Sequence, residues 1–395
     1  MTSQNKTLSP ILIGTWHGHG DHLIGVLELN RPDALNALNL KMITLLQAAL
    51  LRWQEDERVV CIVLIAAGER AFCVGGDVKS LYASTPVYNE SWNRSDVNNA
   101  AVEFFIREYH LDRLIHRYPK PIVVMGQGII MGGGLGLLAN ASHRVVAESA
   151  QLAMPEVNLG FIPDVASSWF LNRTPSNSGE FMALTGVSVN AADAIAMGLA
   201  DYCVLRAGWK ALQVAFKHCH WSDDREEIFS QVSVLLKGRS LLNDRQLQPP
   251  QMLKHLSDIE PWFHEYQGGE GQGEALISRI CAYRGESVLL QQARTNLNTG
   301  CKVSMLLALQ LMLKTRGLSF QQCQQLELNV AINLIAAGHF HEGVRALLVD
   351  KDRQPQWQNT ALGGRELEQF FASPWVGRTG VSGAGKSVGR WHPLS

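Results

Sequence analysis

The chain has 395 residues, of which 46% are hydrophobic, with 35 basic against 36 acidic side chains. That length can bury a sizeable core in one large domain or two modest ones, and a formal charge of −1 leaves no footprint for nucleic acid or an anionic membrane. Seven scattered cysteines without CxxC spacing read as free thiols in a reducing compartment and argue against a zinc or iron–sulfur site. No apolar run nears the ~20 residues of a membrane span. Residues 1–10 lack an apolar signal core and are not rich in arginine, so the expected compartment is the cytoplasm.

In chain order, Leu23 to Leu29 reads as a strand that ends at the turn signal Asn30-Arg31-Pro32. Asn39 is the expected N-cap of a helix with Met42, Leu45, Leu46, Ala49 and Trp53 on one face. Val59 to Ala67 is almost continuously apolar, the mark of a strand covered on both faces. Residues 68–77 form the loop after it. Thr85 to Asn99 is polar and irregular, and Glu103 to Tyr118 reads as a helix. Pro121 to Val124 supply another buried strand. Met131-Gly132-Gly133-Gly134 break it, and Leu135, Leu137 and Leu138 resume with helical spacing. A triple glycine lets backbone approach a ligand closely, and the first N–H groups of the following helix lack intrahelical partners, so this corner can hold an oxyanion.

His143 to Ala147 is the next strand. Beyond it two acids stand directly after prolines, Glu156 in Met154-Pro155-Glu156 and Asp164 in Pro163-Asp164. Proline cannot continue a central ladder, so both carboxylates are expected on irregular backbone. Ser178 to Gly186 and Ala191 to Gly198 read as short helices ended by glycine, and Tyr202 to Leu205 as a last strand. Strand–helix alternation to this point predicts an α/β fold with parallel strands. Trp209 to Gly338 is predominantly helical in pattern, interrupted from Gln246 to Gly273 by a Gly/Pro/Gln-rich stretch. The expected division is a core over 10–205, a helical C-terminal region over 206–375 and a flexible tail over 376–395.

These residues resemble the crotonase (enoyl-CoA hydratase/isomerase) superfamily, and within it the 3-hydroxyisobutyryl-CoA hydrolases. AFCVGGD (Ala71 to Asp77) is similar to the family's first oxyanion loop and MGGGLGL (Met131 to Leu137) to its second. MPEVNLGFIPDV (Met154 to Val165) resembles the hydrolase form of the segment after the second strand, and HFHEGVRALLVDKDRQPQW (His339 to Trp357) the hydrolases' C-terminal motif. The resemblance implies a crotonase-like ββα spiral core. It also implies a thioester carbonyl held between the N–H groups of Gly76 and Gly133. Glu156 and Asp164 are the implied acid–base or nucleophilic pair, with Glu108, in FFIREYHL, holding the acyl part. Asn36-Ala37-Leu38 resembles the segment lining the adenine pocket of coenzyme A. Hydratases place a glutamate three residues beyond the second oxyanion glycine, where this chain has Gly136. Losing one of two acids argues against hydration. The implied reaction is hydrolysis of a short 3-hydroxyacyl-CoA, with a place in valine catabolism, no metal or redox cofactor, coenzyme A arriving within the substrate, and self-association.

Other candidates have plainer readings. Glu108 by pattern alone is a solvated helix residue. Cys73, in the oxyanion loop, reads as structural filler. His339 and His341, two residues apart, do not share a helix face and read as core or surface histidines. GVSGAGKS (Gly380 to Ser387) fits the phosphate-loop pattern, but no strand precedes it and only Val388 to Ser395 follow, so it reads as tail. Val74 stands where alanine is common in the family, and Ala166-Ser167-Ser168 replaces the hydrolases' glycine run, leaving the backbone beside Asp164 less free. The rival functions are an enoyl-CoA isomerase or hydratase of the same fold and a non-catalytic acyl-CoA-binding relative.

Overall fold

The computed structural model describes residues 9–85, 100–240, 247–358, 363–375 and 393–394. The loop expected over 85–99 and the phosphate-loop pattern at 380–387 thus fall, apart from Thr85, outside the described residues. Among the described residues no helix is long and apolar enough to cross a membrane.

Two compact units form, each from three stretches: 1–76, 111–152 and 189–250 in the first, and 77–110, 153–188 and 251–395 in the second. These units interleave along the chain, whereas the sequence predicts a core over 10–205, a helical region over 206–375 and a tail over 376–395. Parallel strands account for the difference. Each crossover carries the chain away from the sheet and back, so sheet neighbours lie far apart in sequence.

The first unit is built on a six-stranded sheet: β1 (Ile11–His17), β2 (Leu23–Leu29), β3 (Val59–Ala66), β5 (Ile122–Gly126), β7 (His143–Val146) and β10 (Tyr202–Cys203), in that spatial order. Only β1 runs antiparallel to its neighbour. A second sheet joins β4 (Ala71–Cys73), β6 (Ile129–Met131), β8 (Gln151–Ala153) and β9 (Val189–Asn190). Every residue of β3 is buried except Ile65, as its continuous apolar run requires. The helix Leu40–Glu55 opens with the Asn39 side chain accepting the Met42 N–H at 2.9 Å. Its Trp53 packs so closely on Gly25 that a Cβ there would stand 2.7 Å from the ring. The helices Trp209–His218 and Arg225–Lys237 pack Leu212, Phe216, Val232 and Leu236 into a core with Ile24, Val63, Val123 and Val145 of the sheet. β1 went unread because only Ile11 of its seven residues is buried, which leaves no apolar alternation.

The second unit is helical. Ser178–Thr185, buried throughout, packs on Val288–Thr299 and Lys302–Lys314, while Phe320–Ala336 packs on His339–Val344 and Gly364–Phe371. The helix Ala100–His116 contributes Phe105, whose ring lies 4.9 Å from Phe161 and 6.1 Å from Phe340. That aromatic cluster seats the helix beside the segment carrying both acids. The stretch read as an interruption holds the helix Leu256–Phe263, with Ile259 and Phe263 buried one turn apart.

Candidate active site

In the first unit the two glycine loops are pressed together. Leu38 donates its N–H to the Gly75 carbonyl at 2.8 Å, pairing Leu38 with Gly76 and leaving the Gly76 N–H out of that bond. Gly75 has φ 96°, and a Cβ there would lie 3.2 Å from the Met131 oxygen and 3.4 Å from the Gly133 nitrogen. A Cβ on Gly134 would meet the Cys73 carbonyl at 2.3 Å. Only glycine allows this approach. Gly133 opens the helix Gly133–Ala139, so its N–H belongs to the first turn and has no intrahelical acceptor. Gly76 and Gly133 therefore offer backbone donors from adjoining loops, the arrangement an oxyanion requires.

The Asn36 corner is rigid for its own reasons. Its buried amide donates to the carbonyls of Ala67 at 3.0 Å and Ala71 at 3.1 Å and accepts the Arg31 N–H at 2.9 Å, at φ 57°. Cys73 is fully buried, its sulfur against the Gly75 N–H and carbonyl.

In the second unit the carboxyl groups are buried together. Glu156 is 8% exposed, Asp164 4% and Glu108 3%, so Glu108 does not lie on a solvated face. Glu156 opens the short 3-10 helix Glu156–Leu159 straight after Pro155. Burial drives its carboxyl well above the usual range, and the charge of Asp164 pushes the same way. Burial likewise raises Asp164, to about 7, against the Tyr109 hydroxyl, which pulls it down. Among the described residues the Glu156 Oε2 and Asp164 Oδ2 are buried with no hydrogen-bond partner, an expense that purely structural acids avoid. Two interacting acids raised together titrate as a coupled pair, so that one can serve as acid while the other serves as base.

Asp164 sits at an unusual turn. Ser167 donates its N–H to the Asp164 carbonyl at 2.8 Å, and the two residues between, Val165 at φ 55° and Ala166 at φ 65°, are both left-handed. That is the sign pattern of a turn glycine and asparagine favour, and for a β-branched valine it stores roughly 1–3 kcal/mol of strain. The sequence reading expected less backbone freedom here; the chain adopts the left-handed form regardless. Glu327, which the sequence reading passed over, holds it. Its Oε2 accepts the Ala166 N–H at 2.7 Å, and its Oε1 accepts the Ser168 N–H at 2.9 Å and hydroxyl at 2.5 Å. Glu327 is fully buried, and burial lifts its carboxyl to about 8 against those donors. A signal was present: Gln324 and Glu327 fall in helical phase with buried Cys323, Leu328 and Ala331, polar residues on an apolar face.

The C-terminal motif supports the Glu156 segment. Arg345 donates to Glu342, Asp350 and Asp352 at 2.7–2.9 Å, and Glu342 also accepts the Gln356 N–H. A Cβ on Gly343 would meet the Leu159 carbonyl at 2.2 Å, and one on Gly160 (φ 69°) the His339 carbonyl at 2.2 Å. The motif's backbone is thus packed flush against residues 159–160.

His339 and His341 face different partners. His339 is buried near the Cys301 sulfur (3.8 Å) and pushed down to about 4 by burial, whereas His341 meets the Thr85 hydroxyl at 3.1 Å and stacks on Tyr82. Among the described residues no group of three or more His, Cys, Asp or Glu could hold a metal ion.

A family model described as enoyl-CoA hydratase/isomerase matches residues 24–370. A Xenopus tropicalis protein named 3-hydroxyisobutyryl-CoA hydrolase, mitochondrial, is 32% identical over 341 residues, covering 86% of this chain and 83% of its own. The Homo sapiens protein of that name is 30% identical, covering 86% and 82%. Of solved structures, an enoyl-CoA hydratase from Rhodobacter sphaeroides 2.4.1 is similar at TM-score 0.75 and 29% identity, over 92% of this chain and 98% of its own. A carnitinyl-CoA dehydratase from Mycobacterium thermoresistibile is similar at TM-score 0.73 and 30% identity, over 92% and 96%. The crotonase-like α/β fold expected from the sequence is the fold shared with these enzymes.

Proposed function

The chain belongs to the enoyl-CoA hydratase/isomerase family, and from that membership we propose that it is an acyl-CoA thioester hydrolase whose substrate is a short 3-hydroxyacyl-CoA, 3-hydroxyisobutyryl-CoA first. The observation that carries the reading is the buried pair Glu156 and Asp164, both raised by burial and Glu156 further by the charge of Asp164, in a chain with Gly136 where a hydratase's other acid would stand.

In this mechanism the N–H groups of Gly76 and Gly133 polarise the thioester carbonyl, where one such donor is worth about 10²–10³ in rate. Glu156 attacks the acyl carbon to form a mixed anhydride, or draws the proton from an attacking water. Either route breaks the carbon–sulfur bond, adds one water overall and delivers a proton to the departing coenzyme A thiolate. Asp164 orients the 3-hydroxyl or the water and shares the proton with Glu156. Glu108 holds the hydroxyacyl end. Coenzyme A enters within the substrate and no metal or redox group takes part.

The test is free-thiol release from a panel of short 3-hydroxyacyl-CoA esters by the wild type, Glu156→Ala and Asp164→Asn. Release by the wild type and its loss in both variants is the expected result. Conversion of 3-enoyl to 2-enoyl thioesters without thiol release would assign an isomerase, and tight binding of coenzyme A esters without turnover a binding protein. We further propose a step in valine catabolism, tested by the growth of a deletion strain on valine; a cytoplasmic site, tested by fractionation; and self-association, tested by light scattering.

A further inference from the structure

We propose that Glu327 is a positioning residue for Asp164: its carboxyl group, with a backbone N–H on each oxygen, holds the left-handed Val165–Ala166 turn that presents Asp164. The inference rests on the hydrolase reading above and names a residue of that machinery outside both oxyanion loops and both acids.

Three observations lead to it. First, the turn from Asp164 to Ser167 has two successive left-handed residues and no glycine, so the local sequence does not favour it. Second, the Ala166 N–H goes to one Glu327 oxygen at 2.7 Å and the Ser168 N–H to the other at 2.9 Å, with the Ser168 hydroxyl added at 2.5 Å. A carboxamide of the same shape has only one acceptor atom and must turn its NH₂ toward one of those N–H groups. The site is therefore made for a carboxyl group, which offers an oxygen to each N–H, rather than for any polar residue of that length. Third, one turn earlier on the same helix, the fully buried Gln324 donates to the Tyr109 carbonyl at 3.1 Å. The Tyr109 hydroxyl in turn acts on Asp164. The helix Phe320–Ala336 thus holds the Asp164 turn through Glu327 and the backbone of the residue facing Asp164 through Gln324. Glycines would adopt such a turn freely; Val165 and Ala166 do not, and the clamp supplies what glycines would.

The test uses the full chain and the thiol-release assay. Glu327→Gln is expected to lower kcat by about ten- to a hundredfold, as a displaced catalytic group does, with KM within about twofold of wild type. Adding Ala166→Gly to Glu327→Gln is expected to recover part of kcat, because glycine takes the left-handed form without a clamp. A wild-type kcat in Glu327→Gln, or a loss that Ala166→Gly does not recover, overturns the proposal. Should Glu327→Gln fail to fold, Glu327→Asp draws the carboxyl group back by one methylene from both N–H groups and is expected to give a smaller drop in kcat; an unchanged kcat there overturns it equally. A wild type that releases no thiol defeats the hydrolase reading instead. The clamp is then judged by amide exchange: the Ala166 and Ser168 N–H groups are expected to lose protection in Glu327→Gln, or in Glu327→Asp where that variant alone folds, and unchanged protection overturns it.

Discussion

Replacing Asp164 by asparagine is expected to remove activity while making the protein more stable in alkaline solution. Burial lifts the Asp164 carboxyl from 3.8 to about 7. Between those values the folded chain keeps a proton that the unfolded chain has released, so wild-type stability falls as pH rises through this window and stays lower above it. A shift of roughly 3 units at about 1.36 kcal/mol each sets a ceiling of about 4 kcal/mol. Glu156 shares the proton, so about half of this, ~2 kcal/mol, is expected from relieving Asp164 alone. For 395 residues at about 2.1 cal/mol/K each, the unfolding entropy is roughly 0.8 kcal/mol/K, which turns ~2 kcal/mol into a rise in Tm of about 2–3 °C. Asparagine keeps the shape of the carboxyl group without its charge, so little of the gain is given back. The assay is thermal unfolding of both proteins at about pH 4, where the curves should nearly coincide, and at about pH 8.5, where the variant should melt higher. Thiol release should fall by about 10²–10⁴ over the same comparison. A variant no more stable than wild type at the higher pH would refute the reasoning, because the buried charge would then not be what the fold bears.

The pH profile of kcat/KM should show its acidic limb above the ordinary carboxylate range, since Glu156 and Asp164 are both raised. In an Asp164→Asn preparation with residual activity that limb should move toward lower pH, and a limb unmoved by the substitution would separate the two acids. Gly160→Ala places a Cβ 2.2 Å from the His339 carbonyl oxygen at φ 69° and should destabilise by roughly 2–4 kcal/mol in urea unfolding; a loss below about 0.5 kcal/mol would show that the two segments can part. Arg345→Leu strands three carboxylates that are partly solvated, so about 1–2 kcal/mol is expected at low salt and less near 1 M, read as the difference in Tm between variant and wild type. A difference that does not shrink with salt would point to packing by the arginine stem.

Local signals carried most of the first unit. The apolar runs of β2, β3, β5 and β7 and the Asn39 cap each declare themselves within ten residues, and the structure puts them within a residue or two of the expected bounds. The prolines before Glu156 and Asp164 placed both acids on irregular backbone for the same reason. What stayed hidden is non-local. Nothing near residue 77 or 153 announces a change of unit, because unit membership depends on which distant helices an element meets. The helix Leu256–Phe263 was lost to the glycine, proline and glutamine around it, although Ile259 and Phe263 keep helical phase.

The two segments most telling for family membership prove to differ in kind. The glycine loops explain themselves: a backbone that must come within van der Waals reach of another backbone can only be glycine, and the chemistry follows from the N–H groups left over. The C-terminal motif carries no reacting group. Gly343 and Gly160 let its helix lie flush on residues 159–160, and Arg345 ties Glu342, Asp350 and Asp352 into one ion cluster behind them. As a string it resembles a motif of the hydrolases; as a structure it fixes the far end of the 3-10 helix that begins at Glu156. Glu327 does the corresponding work for Asp164 from a helix with no motif at all. Each acid is thus held by a part of the helical second unit remote from it in sequence. A core shortened at residue 205 would keep both acids and lose what aims them.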